Sequence, residues 1–139
     1  MKKYVVDASV ILKWVLEEDA ASDKEKAFEL LNTWAEDRIR IFSPLIWQYE
    51  VGNFLGRELP SEAEQKMALL LDLHIGKITF DEKIYRRCFA WMKGGKLTFY
   101  EAVYLSSAYE IQGVLITADE QLAKKVGKND CLCLLKQLL

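Results

Sequence analysis

Asp7 and Asp119 are the residues of this chain with most chemistry to offer. Each ends an apolar run, Lys3-Tyr4-Val5-Val6 before Asp7 and Val114-Leu115-Ile116-Thr117-Ala118 before Asp119. In open parallel sheets, ligands bind beyond the carboxyl ends of the strands. Crowded carboxylates repel one another until a cation or a proton offsets them, and their hard oxygens suit Mg²⁺ or Mn²⁺. Both acids also have a second role open to them. Asp7 and Ser9 can cap the helix that leads to Trp14, and Thr117-Ala118-Asp119-Glu120 fits a capping box with Thr117 as N-cap. Ser9 and Thr117 thus either cap helices or orient waters and carboxylates at the site.

Glu50 and Glu101 extend the acidic set. Ile46, Trp47, Val51 and Phe54 share a stripe at helical spacing, and Glu50 falls inside it. A carboxylate on a buried face needs a partner or loses its charge. A bound cation, an internal arginine such as Arg38 or Arg40, and a cleft open to water each meet that need. Glu101 also reads two ways. Thr98-Phe99-Tyr100-Glu101 matches a capping box, in which the carboxylate folds back to the Thr98 N–H. Glu101 equally stands one turn before Leu105, near the inward face, as a member of an acidic site. An ion held by such a site lowers the pKa of bound water, so the site needs no Ser, Cys or His nucleophile.

Alternating strands and helices must position these acids. After the strand at Lys3–Val6, Ser9–Leu16 and Asp23–Glu36 read as helices, the second with Ala27, Leu30, Leu31 and Trp34 at helical spacing. Arg38–Phe42 alternates like a strand. Ser43 as N-cap and Pro44 at the first helical position predict a helix to about Arg57. Ser61-Glu62-Ala63-Glu64 predicts a capping box opening a helix to Asp72. Lys77–Phe80 reads as a strand, Asp81 or Glu82 to Lys93 as a helix stopped by Gly94-Gly95, and Thr98–Glu110 as a helix. Val114–Thr117 as a strand, Ala118–Val126 as a helix and Cys131–Leu134 as a strand complete one α/β domain over residues 1–139, with a parallel sheet covered on both faces.

At 139 residues, 51% apolar and 29% charged, the chain has the make-up of one ordinary globular domain. The apolar run after Lys2 and Lys3 breaks at Asp7, and Met67–Leu71 is too short to span a bilayer, so a cytoplasmic protein without a membrane segment is expected. Three cysteines, Cys88, Cys131 and Cys133, fit reduced thiols in a core better than a disulfide framework or a zinc site, and the lone His74 reads as structural. Charge is uneven. Residues 1–82 carry 10 Lys and Arg against 16 Asp and Glu, and residues 83–139 carry 9 against 5. Lys83, Arg86, Arg87, Lys93 and Lys96 read as a solvated helix face or as a basic rim beside an acidic site. A nucleotide-binding α/β domain is disfavoured, because no Gly-rich phosphate loop follows the first strand.

Taken together, Val5-Val6-Asp7-Ala8-Ser9, the stretch Pro44–Asn53 with Trp47, Glu50 and Asn53, and the blocks Thr98-Phe99-Tyr100-Glu101-Ala102-Val103-Tyr104 and Thr117-Ala118-Asp119-Glu120-Gln121-Leu122 resemble PIN-domain ribonucleases, most closely VapC-type toxins. The resemblance covers essentially the whole chain. It implies a three-layer α/β/α sandwich with a parallel sheet of about five strands in the order 3-2-1-4-5, which brings Asp7 and Asp119 together across the crevice. It implies catalytic and metal-binding roles for Asp7, Glu50, Glu101 and Asp119, supported by Ser9, Asn53 and Thr117, with Mg²⁺ or Mn²⁺ as cofactor. RNA on Arg86, Arg87, Lys93 and Lys96, a homodimer and a small antitoxin protein are the implied partners. Two other readings are a catalytically weak PIN-like regulatory protein and a housekeeping RNA-processing nuclease. One departure stands out: the family usually has Asp where this chain has Glu101. Mg²⁺ tolerates little departure from octahedral geometry at about 2.1 Å. The longer side chain therefore implies binding through water, a preference for Mn²⁺, or the loss of one metal position.

Overall fold

The computed structural model describes residues 1–17 and 21–138. Five strands, β1 (Lys2–Val6), β2 (Ile39–Pro44), β3 (Gly76–Ile78), β4 (Val114–Thr117) and β5 (Leu132–Leu134), form one sheet in the order β3-β2-β1-β4-β5. Every pairing is parallel. The helices are α1 (Ala8–Lys13), α2 (Ala21–Ala35), α3 (Ile46–Glu58), α4 (Ala63–Asp72), α5 (Glu82–Met92), α6 (Phe99–Glu110) and α7 (Glu120–Val126). The result is the expected three-layer α/β/α sandwich.

Parallel strands are covered on both faces and so read as apolar runs. Val5, Val6, Leu115 and Ile116 accordingly have no exposed surface. The helix α6 is buried from Ala102 to Ala108 and packs on β1, β2 and β4, as a helix apolar on all sides must. Its outer neighbour α5 contributes Ile84 and Cys88 to a second, smaller cluster with Ala102 and Val103. Cys131 and Cys133 pack partly buried against the main core. His74 takes a positive φ in the exposed turn from α4 to β3. No helix among the described residues is long and apolar enough to cross a membrane.

Two helix starts differ from the sequence reading. Ser43 and Pro44 end β2 instead of opening α3, because the buried Ser43 hydroxyl donates to the Val6 carbonyl at 2.8 Å. That bond ties β2 to the end of β1, and α3 begins from Leu45 without a side-chain cap. The segment Ser61–Glu64 forms no capping box; α4 starts after Glu62, also without a side-chain cap. The helix expected over Ser9–Leu16 stops at Lys13, where Trp14 turns inward and its indole N–H donates to the Ala27 carbonyl at 2.8 Å.

Candidate active site

The crevice lies where β1 and β4 run side by side and their chains leave in α1 and α7. Asp7 is the N-cap of α1 and Asp119 the N-cap of α7. Capping and convergence are therefore compatible, because a strand-end acid that caps the next helix still stands at the sheet edge. Asp7 Oδ1 accepts from the Ser9 N–H at 3.1 Å, the Ser9 hydroxyl at 2.5 Å and the Val10 N–H at 3.4 Å. The Thr117 hydroxyl donates to Asp7 Oδ2. Asp119 Oδ1 accepts from the Gln121 and Leu122 N–H groups at 2.9 and 3.2 Å.

Ser9 and Thr117 stitch the two strand ends together. Ser9 Oγ accepts the Ala118 N–H at 2.9 Å, and Thr117 Oγ1 accepts the Asp119 N–H at 3.0 Å. Asp7 is only 6% exposed. Burial pushes its carboxyl from the ordinary 3.8 up to about 6, against the opposing pull of the Ser9, Thr117 and Val10 hydrogen bonds, and the negative charge of Asp119 raises it further. The two acids thus lie within electrostatic reach of each other.

Glu50 joins them through a residue that the sequence reading passed over. Trp47 and Val51 are buried as the stripe predicted, but Glu50 itself is exposed at the stripe's edge. It is neither a fully buried acid nor tied to an arginine: Arg38 pairs with Glu36 at 3.2 Å, and Arg40 lies over the Phe42 ring. Its partner is Tyr104, buried on α6, whose hydroxyl donates to Glu50 Oε1 at 2.5 Å. Burial, then the Glu50 bond and charge, then the charge of Asp7, hold the phenol far above its ordinary range. Tyr104 is therefore a fixed proton donor in the field of both acids. A tyrosine inside the all-buried run of α6 needs a partner for its hydroxyl, and that was the available signal.

Glu101 does form the capping box: Thr98 Oγ1 accepts the Glu101 N–H at 3.1 Å, and Glu101 Oε1 accepts the Thr98 N–H at 2.9 Å. Lys125 also reaches this carboxylate. Asn53 is exposed on α3, three residues beyond Glu50. Among the basic residues, Arg86 pairs with Glu82 at 2.6 Å. Arg87 pairs with Glu110 at 2.8 Å and stacks 3.6 Å from the Tyr109 ring centre. Lys93 and Lys96 are exposed at the end of α5 and just after it.

Among the described residues, no three acidic, His or Cys side chains converge into a ready-made metal cage. Asp7 and Asp119, in electrostatic reach of each other, and Glu50, tied to them through Tyr104, are all hard carboxylates, and Asp7 is held above its ordinary range by burial and by its neighbour. That donor set fits a divalent cation of the Mg²⁺ or Mn²⁺ kind.

A parallel sheet with acids at the ends of its two central strands defines an α/β domain built around an acidic crevice. A family model described as PIN domain matches residues 4–128, and the chain belongs to that family. No curated protein matches it in sequence. Solved structures share its fold. A toxin–antitoxin complex from Klebsiella pneumoniae aligns with TM-score 0.72 at 18% identity over 97% of this chain and 99% of that one. PAE2754 from Pyrobaculum aerophilum aligns with TM-score 0.66 at 20% identity, over 97% and 92% of the two chains. VapBC-1 from nontypeable Haemophilus influenzae aligns with TM-score 0.62 at 16% identity, over 89% and 92%.

Proposed function

We propose that this chain is a metal-dependent endoribonuclease, the VapC-type toxin of a type II toxin–antitoxin pair, acting in the cytoplasm. The observation that carries the reading is the buried Asp7, raised to about 6 beside Asp119 at the switch point of the sheet. Asp7 and Asp119 hold the ion, and Glu50 completes the set directly or through water. Bound Mg²⁺ or Mn²⁺ supplies Lewis acidity to a phosphodiester and lowers the pKa of water at the site. The protein's own groups do the positioning: Ser9 and Thr117 fix the Asp7 carboxylate, and Tyr104 fixes Glu50. RNA is held by its backbone, with the exposed Lys93 and Lys96 free to reach phosphates more readily than Arg86 and Arg87, which already have acidic partners. Cleavage leaves 5′-phosphate and 3′-hydroxyl ends.

Two of the similar structures are a toxin–antitoxin complex and VapBC-1, which supports a small antitoxin as partner here. A basic side chain of such a partner entering the acidic crevice would occupy the cation's place. Leu45, Phe80, Phe89 and Tyr100 expose an apolar face around a groove of about 470 Å³ formed by the ends of β2 and β3 with α5 and α6. We assign this face to a second copy of the chain, giving a homodimer. The capped, paired Glu101 favours one competing reading, a catalytically weak PIN-like regulatory protein.

Cleavage of structured RNAs by purified, partner-free protein decides between them. Activity with Mn²⁺ or Mg²⁺, abolished by chelator, is the expected result; no cleavage together with no ion binding by calorimetry would leave the regulatory protein. Tyr104→Phe provides a finer test. It keeps the buried ring and removes one hydrogen bond, so stability should change by only about 1 kcal/mol. Turnover and Mn²⁺ affinity should each fall roughly tenfold as Glu50 loses its tether, which is 1.4 kcal/mol of lost positioning. An unchanged Mn²⁺ affinity would remove Tyr104 from the site.

A further inference from the structure

Glu101 occupies the third of the four acidic positions of the family pattern in chain order, yet both of its oxygens are engaged. Oε1 accepts the Thr98 N–H at 2.9 Å, and the Lys125 ammonium lies 3.2 Å from Oε1 and 3.2 Å from Oε2. A cation equidistant from the two oxygens of one carboxylate fills its bidentate seat. The pair is partly sheltered, with side chains 22% exposed for Glu101 and 38% for Lys125. Its geometry is fixed at both ends: the capping box holds Glu101 against the start of α6, and Lys125 stands in the last turn of α7, the helix that Asp119 caps. Lys125 lies six positions after Asp119, about 9 Å along a helix axis. One short helix thus carries a proposed metal ligand at its start and a positive charge near its end.

The extra methylene of glutamate has a use in this arrangement. It lets the carboxylate fold back to the Thr98 N–H while its second oxygen stays within reach of Lys125. A divalent ion seated on Glu101 would have to displace the ammonium and would meet its repulsion at close range.

We propose that Lys125 is the resident cation of the Glu101 position. It holds Glu101 out of the metal site as a structural residue, so that the chain binds a single divalent ion through Asp7 and Asp119. A second seat opens only when the lysine charge is removed. This inference rests on the metal-dependent reading of the crevice and specifies how many ions that crevice takes.

The test is a count of bound Mn²⁺ per chain, by electron paramagnetic resonance of free ion and by calorimetry, on the full chain. Wild type is expected to bind one ion. Lys125→Met should bind two, Lys125→Arg should return to one, and Lys125→Met with Glu101→Gln should lose the second ion again. Thermal melts of each variant report that the fold is kept. One ion in both wild type and Lys125→Met would overturn the role of Lys125 and leave the nuclease reading standing. Two ions in wild type would also overturn it. No ion in either protein would overturn the metal-dependent reading itself and this inference with it.

Discussion

Replacing Asp7 with asparagine is expected to abolish metal-dependent RNA cleavage and, at neutral pH, to make the metal-free protein more stable than wild type. The Asp7 carboxyl is raised in the fold from 3.8 to about 6, chiefly by burial. A group whose folded pKa is raised contributes its full stability below the unfolded value, where it is neutral in both states. That contribution is lost as pH rises through about 6, where the buried side chain must ionise. A shift of about two units corresponds to about 3 kcal/mol. Asparagine is neutral throughout. Its amide oxygen can accept from Ser9 and Val10 as Asp7 Oδ1 does, and the Thr117 hydroxyl can reverse to accept from the new NH₂. Melting curves with chelator from pH 4.5 to 8 should show the variant gaining on wild type as pH rises toward 6 and keeping that lead above it, by several degrees at pH 7.5. Added Mg²⁺ should restore wild type and leave Asp7→Asn unmoved. A variant that melts below wild type at pH 7.5 would show that the carboxylate is comfortable where it sits, and would remove the main physical support for a cation beside it.

What the sequence disclosed about this site follows the range of the interactions involved. Asp7 and Asp119 were legible because a strand end is a local event, an apolar run meeting an acid. Their convergence required the strand order, which apolar runs do not encode and which the family resemblance supplied. The capping box of Thr98 and Glu101 was equally local and formed as its spacing required. The helix start expected at Ser43-Pro44 failed because Ser43 is claimed by the Val6 carbonyl thirty-seven residues earlier, a contact that exists only once β1 and β2 pair. Glu50 illustrates the same limit. Periodicity placed it on an apolar stripe, yet its partner Tyr104 is fifty-four residues away and its exposure is set by the crevice. Lys125 carries no local signal in the sequence that ties it to the site. Only the tertiary fold brings it to Glu101, twenty-four residues back along the chain.

The dependence of the site on strand pairing leads to the second large effect, expected of Gly113→Ala. Gly113 sits in the turn from α6 into β4, where its N–H donates to the Ala108 carbonyl at 2.8 Å. A Cβ there would lie 2.5 Å from the Lys3 carbonyl oxygen and 3.1 Å from its carbon. The obstacle is the backbone of β1, so no side chain can swing aside, and relief requires β4 to move off β1. The next residues pair as Tyr4 with Val114, Val5 with Leu115 and Val6 with Ile116, and then reach the Thr117 to Asp7 and Ala118 to Ser9 bonds that frame the crevice. A shift at the start of this ladder is therefore felt at the crevice end. Gly113→Ala should cost about 3 kcal/mol, at the upper end of overpacking effects. Mn²⁺ affinity should drop roughly tenfold, a loss of about 1.4 kcal/mol at the ion. Gly56→Ala is the control: it lies on α3 with nothing within 4 Å of an added Cβ, and alanine should stabilise the helix by about 1 kcal/mol. Urea denaturation and calorimetry on the two variants separate the effects. If Gly113→Ala stays within about 0.5 kcal/mol of wild type, the range of an ordinary surface substitution, β1 and β4 are not held rigidly at this point. The geometry that raises Asp7 would then have to be maintained by the hydroxyls of Ser9 and Thr117 alone.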